Sequence, residues 1–143
     1  MTIRINHLIL IGVLLAACAH LPETTRTGVI RDVKIEQGVS PADLVAQIGD
    51  EVRWVNHRAG SVRIHFLDGA LEHVSCARGF TNVLGMKNES ATIKPGEFDS
   101  LCFSQPGFIS YHVRMADMVP GGEIIEPGVI RVGSVPQPQV RRK

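Results

Sequence analysis

The stretch Glu51-Val-Arg-Trp-Val-Asn56-His-Arg-Ala-Gly-Ser61-Val-Arg-Ile-His-Phe66 alternates twice, with a turn between its halves. Val52 and Trp54 share one face of the first half. Val62, Ile64 and Phe66 share one face of the second, which leaves Arg63 and His65 on the other. A period of two over five or six residues is the mark of a half-buried strand. Two such strands in immediate succession point to a sheet protein.

Outward from that core the pattern repeats. Gly28 to Glu36 alternates, with Val29, Arg31, Val33 and Ile35 offset from Ile30, Asp32 and Lys34. Gly38 and Pro41 punctuate, Asp43 to Ile48 mixes apolar and small residues, and Gly49-Asp50 turns the chain into the decisive stretch. Downstream, Asp68-Gly69, Gly79, Gly85 and Asn88 break up residues 67–92, where short strands and one brief helical turn both fit. Ala91 to Gly96 leads into Glu97-Phe-Asp-Ser-Leu-Cys-Phe103, predicted with Leu101 and Phe103 inward and Cys102 outward. After the Pro106-Gly107 turn, Phe108 to Arg114 sets Ile109, Tyr111 and Val113 on one face, and Gly128 to Val132 closes the pattern. Short strands joined by Gly- and Pro-containing turns predict an all-β fold, a Greek-key β-sandwich or barrel.

The first residues read as an address. Arg4 precedes the ten-residue apolar run Leu8 to Ala17, too short to span a bilayer, which takes about 20 apolar residues, but suited to a secretory leader. Leu15-Ala16-Ala17-Cys18 matches the bacterial lipobox. That resemblance implies cleavage before Cys18 and acylation of its thiol and new amino group; ordinary cleavage near Ala17 is the alternative. The expected organisation is a lipoprotein signal peptide over 1–17, a lipidated tether over 18–28, a domain over 29–132 and a flexible tail over 133–143. Several acyl chains on Cys18 would anchor the protein to a bacterial membrane facing the periplasm. Ala19 is not the aspartate associated with inner-membrane retention in enteric bacteria, so outer-membrane sorting is favoured.

Without Arg4 the chain carries fourteen basic and fourteen acidic residues, and Arg141-Arg142-Lys143 is a terminal tail. Nothing in that balance points to nucleic acid. Gly-x-Ser-x-Gly, His-Glu-x-x-His, Cys-x-x-Cys and phosphate-loop motifs are all missing from the sequence, so no enzyme is expected.

The segments Gly49 to Phe66 and Pro95 to Val113 resemble cupredoxins of the amicyanin and plastocyanin type. Trp54-Val-Asn-x4-Ser-x3-His-Phe66 runs parallel to the strand and turn leading into that family's first ligand histidine. Ser100-Leu-Cys-Phe103, Gly107 and Tyr111-His112 run parallel to the strand pair that delivers its ligand cysteine. The resemblance implies a cupredoxin-like sandwich. At the two former copper-ligand positions it sets Val62 and Val113, with Arg114-Met115-Ala116-Asp117-Met118 following and no histidine among them. Blue copper takes two imidazoles and a thiolate, and a valine donates no electron pair. No cofactor is therefore expected, and the reading is a non-enzymatic binding module whose metal cavity is filled with apolar bulk.

Three groupings remain. Outward-facing His65 and His112, on adjacent strands if the cupredoxin topology holds, form with His73, Met115 or Met118 an alternative copper-binding or electron-transfer site; two unrelated surface histidines is the plainer reading. Cys76 and Cys102 would form a disulfide in an oxidising compartment, or Cys76 with His73 a thiol copper or redox site. Residues 115–127 read as a long loop. There Met118, Val119, Ile124 and Ile125 make a partner patch, unless Ile124 and Ile125 begin the last strand and pack inward.

Overall fold

The computed structural model describes residues 28–67 and 69–133. Among the described residues ten strands form: β1 Ile30–Ile35, β2 Val39–Ser40, β3 Asp43–Ala46, β4 Glu51–Asn56, β5 Val62–Phe66, β6 Val74–Arg78, β7 Ser90–Ile93, β8 Phe98–Phe103, β9 Gly107–Ala116 and β10 Glu123–Val132. A 3-10 turn, Ala70–His73, precedes β6. The strands make two five-stranded sheets in the orders β2-β1-β4-β8-β6 and β3-β10-β9-β5-β7. Consecutive strands change sheet at every step except β1 to β2 and β9 to β10. The fold is thus an all-β sandwich with arches crossing between its layers, the connectivity of a Greek key.

The alternation decides what is inside. Val33, Ile35, Val52, Trp54, Val62, Ile64, Phe66, Leu101, Phe103, Tyr111 and Val113 are all buried between the sheets. Trp54 is the hub: its ring meets Phe66, Phe80 and Tyr111 edge-on, at centroid distances of 5.3, 5.8 and 5.4 Å. Such arrangements favour the ring quadrupoles. Phe80 comes from the irregular segment, where the sequence pattern offered no inward face. Burial pushes the Tyr111 phenol above its usual value, and the neighbouring Trp54 indole opposes that shift. The two groups do not meet at hydrogen-bonding geometry, so Trp54 Nε1 and Tyr111 Oη are buried without a partner among the described residues.

Charged residues also occupy inward-facing strand positions, Arg31, Asp99 and Glu126 among them. Arg31 shares a face with Val33 and Ile35, and its Nε donates to Asp50 Oδ2 at 2.6 Å; Asp50 also accepts from the Gln47 amide. This pair ties the start of β1 to the turn before β4. Asp99 lies opposite Trp54 in the β4–β8 register. Burial raises its pKa first of all, Arg78 opposes the shift and Glu97 adds to it.

A carboxyl with a raised folded pKa holds its proton more tightly folded than unfolded. Its favourable contribution is present at low pH and is lost as pH rises from the unfolded pKa through the folded one. Asp99→Asn is therefore expected to raise stability at pH 7 by about 0.5 kcal/mol after solvent screening, and to leave it unchanged near pH 3. Urea unfolding at the two pH values checks this; a loss at pH 7 refutes it. Gly79, at φ 80°, packs against this carboxyl so closely that an added Cβ would lie 2.0 Å from Asp99 Cγ.

Strand β10 is twice as long as the five residues predicted, running from Glu123 and pairing with β9 along its whole length. Pro127 and Gly128 read as a break in the sequence, yet the strand accommodates both. Val129 donates its amide to Ala42 at 2.7 Å, so the amide side two residues earlier points the same way. β3 pairs only with Val129 to Val132, so Pro127, which has no N–H, faces the open side beyond that strand.

Candidate functional site

Val62 and Val113, which the sequence resemblance sets at copper-ligand positions, lie in the core. In the β5–β9 register Val62 is opposite Met115 and Ile64 opposite Val113. Val62 is 1% exposed, Val113 0% and Met115 2%. Four apolar side chains from adjacent strands thus fill one block of the interior. Met115 was expected in the surface loop; it belongs to β9, and strand parity turns it inward.

That end of the sandwich is held by Asn56, which stands in the quoted Trp54-Val-Asn pattern without an assigned role, and by Arg58, which no sequence motif singled out. Asn56 is fully buried at the end of β4. Its Nδ2 donates to the carbonyls of Gly60 and Ile93, at 2.9 and 3.0 Å, and its Oδ1 accepts from the Arg58 amide at 2.9 Å. The Arg58 guanidinium then donates to Glu36 O at 2.7 Å and to Ala116 O at 2.6 Å. One side chain therefore joins the end of β1, in one sheet, to the end of β9, in the other. A polar residue closing an alternating strand was the available signal, though it does not reveal its partners.

The long loop predicted over 115–127 contracts to residues 117–122. Asp117 N donates to Gly122 O at 2.9 Å, Met118 N to Asp117 Oδ1 at 2.6 Å, and Gly121 takes a φ of 79°. Met118 is 96% exposed and Val119 64%. Ile124 packs on the core while Ile125 faces solvent from the other side of β10, so the four residues do not form one patch. Between this turn and the β4–β5 turn lies a cleft of about 590 Å³, lined among others by Glu36, His57, Arg58, Asp117, Met118 and Ile124. It offers carboxylates and an imidazole beside apolar side chains, the makings of a binding surface.

The alternative copper set is only partly assembled. His65 and His112 are directly opposite each other in the β5–β9 register, on the outer face. Met115 lies on the inner face of that same strand pair, and Met118 is in the exposed turn. His73 ends the 3-10 turn, at the other end of the molecule, where its carbonyl accepts from the Ser104 amide at 2.8 Å. No group of three His, Cys, Asp or Glu capable of holding a metal occurs among the described residues.

Cys76 and Cys102 form a disulfide across β6 and β8, with a Cα separation of 4.9 Å. Both sulfurs are consumed, so the Cys76–His73 thiol site has no thiol. Cys102 does lie on the outer face, but the bridge and neighbouring chain leave it 1% exposed. Cys18 lies outside the described residues, as do the leader, most of the tether and most of the tail.

Neither a protein-family model nor a curated protein matches the chain. Among solved structures the chain is similar to amicyanin variants. A Met-to-Ala mutant in the Cu(I) form is 24% identical over 73% of this chain and 82% of that one, with a TM-score of 0.48. A Met-to-Gln mutant, also Cu(I), is 21% identical over 73% and 83%, with a TM-score of 0.49. An oxidised Met-to-Lys mutant is 25% identical over 73% and 82%, with a TM-score of 0.45.

Proposed function

We propose that this protein is a membrane-tethered, cupredoxin-like binding module in which the blue-copper position has become core. The observation that carries the reading is the apolar block Val62, Ile64, Val113 and Met115. The strand pattern of the family is retained while the donor atoms that a type 1 site needs are replaced by hydrocarbon. The module meets a protein partner through the end bearing the cleft and the 117–122 turn, and it has no catalytic role. Acylated Cys18 anchors it to a bacterial membrane on the periplasmic side, with the outer membrane favoured. The leader, lipobox and tether in the sequence support that part; the mass of the processed N-terminal peptide tests it, and an unmodified Cys18 would sink it.

The direct test of the binding-module reading is copper loading of the full chain in detergent, followed by exhaustive dialysis and a visible spectrum. The expected result is no stoichiometric copper and no thiolate charge-transfer band. One tightly held copper per chain overturns the reading. The register of His65 and His112 is the one observation that favours copper instead, since imidazole suits that metal. Copper retained by the parent and lost in His65→Ala/His112→Ala would establish that alternative.

A further inference from the structure

On one face of an antiparallel pair, directly opposite side chains have Cβ atoms about 4.5–5.5 Å apart, and like charges there destabilise the sheet. β5 and β9 nevertheless set Arg63 opposite Arg114, and in the next row of the same outer face His65 opposite His112. β7 extends these rows with hydroxyls, Thr92 beside Arg63 and Ser90 beside His65. On the other side β10 contributes Ile125 beside Arg114 and Pro127 beside His112, neither of them charged. The acid that answers this block is Glu123, 3.2 Å from Arg114. The Arg63 guanidinium makes no ion pair or hydrogen bond among the described residues, although the Arg63 backbone is paired within the sheet. A shallow groove of about 340 Å³ runs between Ser61, Arg63, Thr92, Arg114 and Glu123.

Two guanidinium groups, two imidazoles and two hydroxyls thus share a flat surface with one carboxylate at its edge. A cation is ill suited to it, because both arginines flank the histidine row. An anion removes the repulsion that the register creates, and the guanidinium fork matches the geometry of an oxyanion. We propose that the outer face of the second sheet holds an oxyanion of the phosphate or sulfate class between Arg63 and Arg114, with His65 and His112 joining when protonated. The proposal goes beyond the reading above and does not depend on whether copper binds.

The pH dependence follows from the groups facing the site. β5 supplies Arg63 and His65, β9 Arg114 and His112, and β10 Glu123, while Ser90 and Thr92 of β7 do not titrate here. Imidazole gains its charge between pH 8 and 5. Sulfate is the cleaner probe, because its own charge is constant over that range.

The experiment titrates sulfate into the full chain in detergent at pH 7.5 and 5.5, with ionic strength held constant by sodium chloride, reading His65 and His112 ring resonances. The expected result is affinity about 5-fold or more tighter at pH 5.5, as two charge-assisted contacts are added. Arg63→Gln/Arg114→Gln should weaken it about 10-fold or more at both pH values, without lowering thermal stability, since a like-charge pair is removed. A parallel arm compares retention on phosphatidylglycerol and phosphatidylcholine vesicles for the parent and that variant. Both carry the same Arg141-Arg142-Lys143 tail, so their difference reads the sheet alone.

Sulfate binding lost in the variant assigns the site to a free anion. A preference for phosphatidylglycerol lost in the variant, without sulfate binding, assigns it to a lipid headgroup. Equal behaviour of parent and variant in both arms overturns the proposal.

Discussion

Gly128→Ala is expected to destabilise the protein by about 3 kcal/mol, the upper part of the range for overpacking a close-packed core. Gly128 lies directly opposite Tyr111 in the β9–β10 register, and the tyrosine ring covers its Cα. An added Cβ would stand 2.2 Å from Tyr111 Cζ and 2.4 Å from its hydroxyl oxygen. The ring has nowhere to retreat, because Trp54 meets it at 5.4 Å and Phe66 at 5.9 Å. Displacing it would disturb the whole aromatic cluster. Urea unfolding measures the change. Gly60→Ala is the comparator, since an added Cβ there meets no atom within 4 Å. Equal midpoints for the two variants would mean that the Tyr111–Gly128 contact is not as close as described.

Cys76→Ser/Cys102→Ser should cost a similar amount. The bridge spans 26 residues of sequence, and closing a loop of that size in the unfolded chain is worth about 3 kcal/mol on the chain-entropy account. The loop is not a simple hairpin. It leaves β6 in one sheet, delivers Phe80 to the aromatic cluster, forms β7 in the other sheet and returns as β8. Release of the bridge frees β6, an edge strand, together with the path that places Phe80. A fall in melting temperature on the order of 12 °C is expected for a domain of this size. Dithiothreitol should reproduce it in the parent and add nothing in the variant. A parent whose melting temperature ignores the reductant would refute the prediction.

The strands that could be read from sequence were those with one wet and one dry face. In β5 and β9 every inward residue is apolar, and in β4 only the closing Asn56 is not, so the period of two reports the fold directly. The residues Val62 and Val113 were legible as core for the same reason. Legibility failed where a residue's role depends on a partner far along the chain. Phe80 is surrounded by turn residues and becomes core only because Trp54 and Phe66 lie beneath it. Asn56 and Arg58 organise the cleft end by binding backbone groups, which are the same for every residue type, so the polar residue closing β4 is visible in the sequence and its partners are not. Pro127 misled for a related reason. A proline forbids a hydrogen bond in one direction only, and the sequence does not say which side of the strand is open. The opposition of Arg63 and Arg114 was likewise invisible, because register is a property of two strands.

The chain enters and leaves the sandwich at one end. Val29 accepts from the Glu51 amide beside the start of β1, and Gly133 donates to Ala46 at 3.0 Å just past the end of β10. The cleft with Arg58 and the 117–122 turn is at the other end, and the ten residues of β9 that separate the two ends span roughly 30 Å. The described residues therefore begin and end at the end of the sandwich remote from the cleft. On the reading proposed above, in which Cys18 is held in a bilayer, the cleft end is the one we propose to meet a protein in the aqueous space.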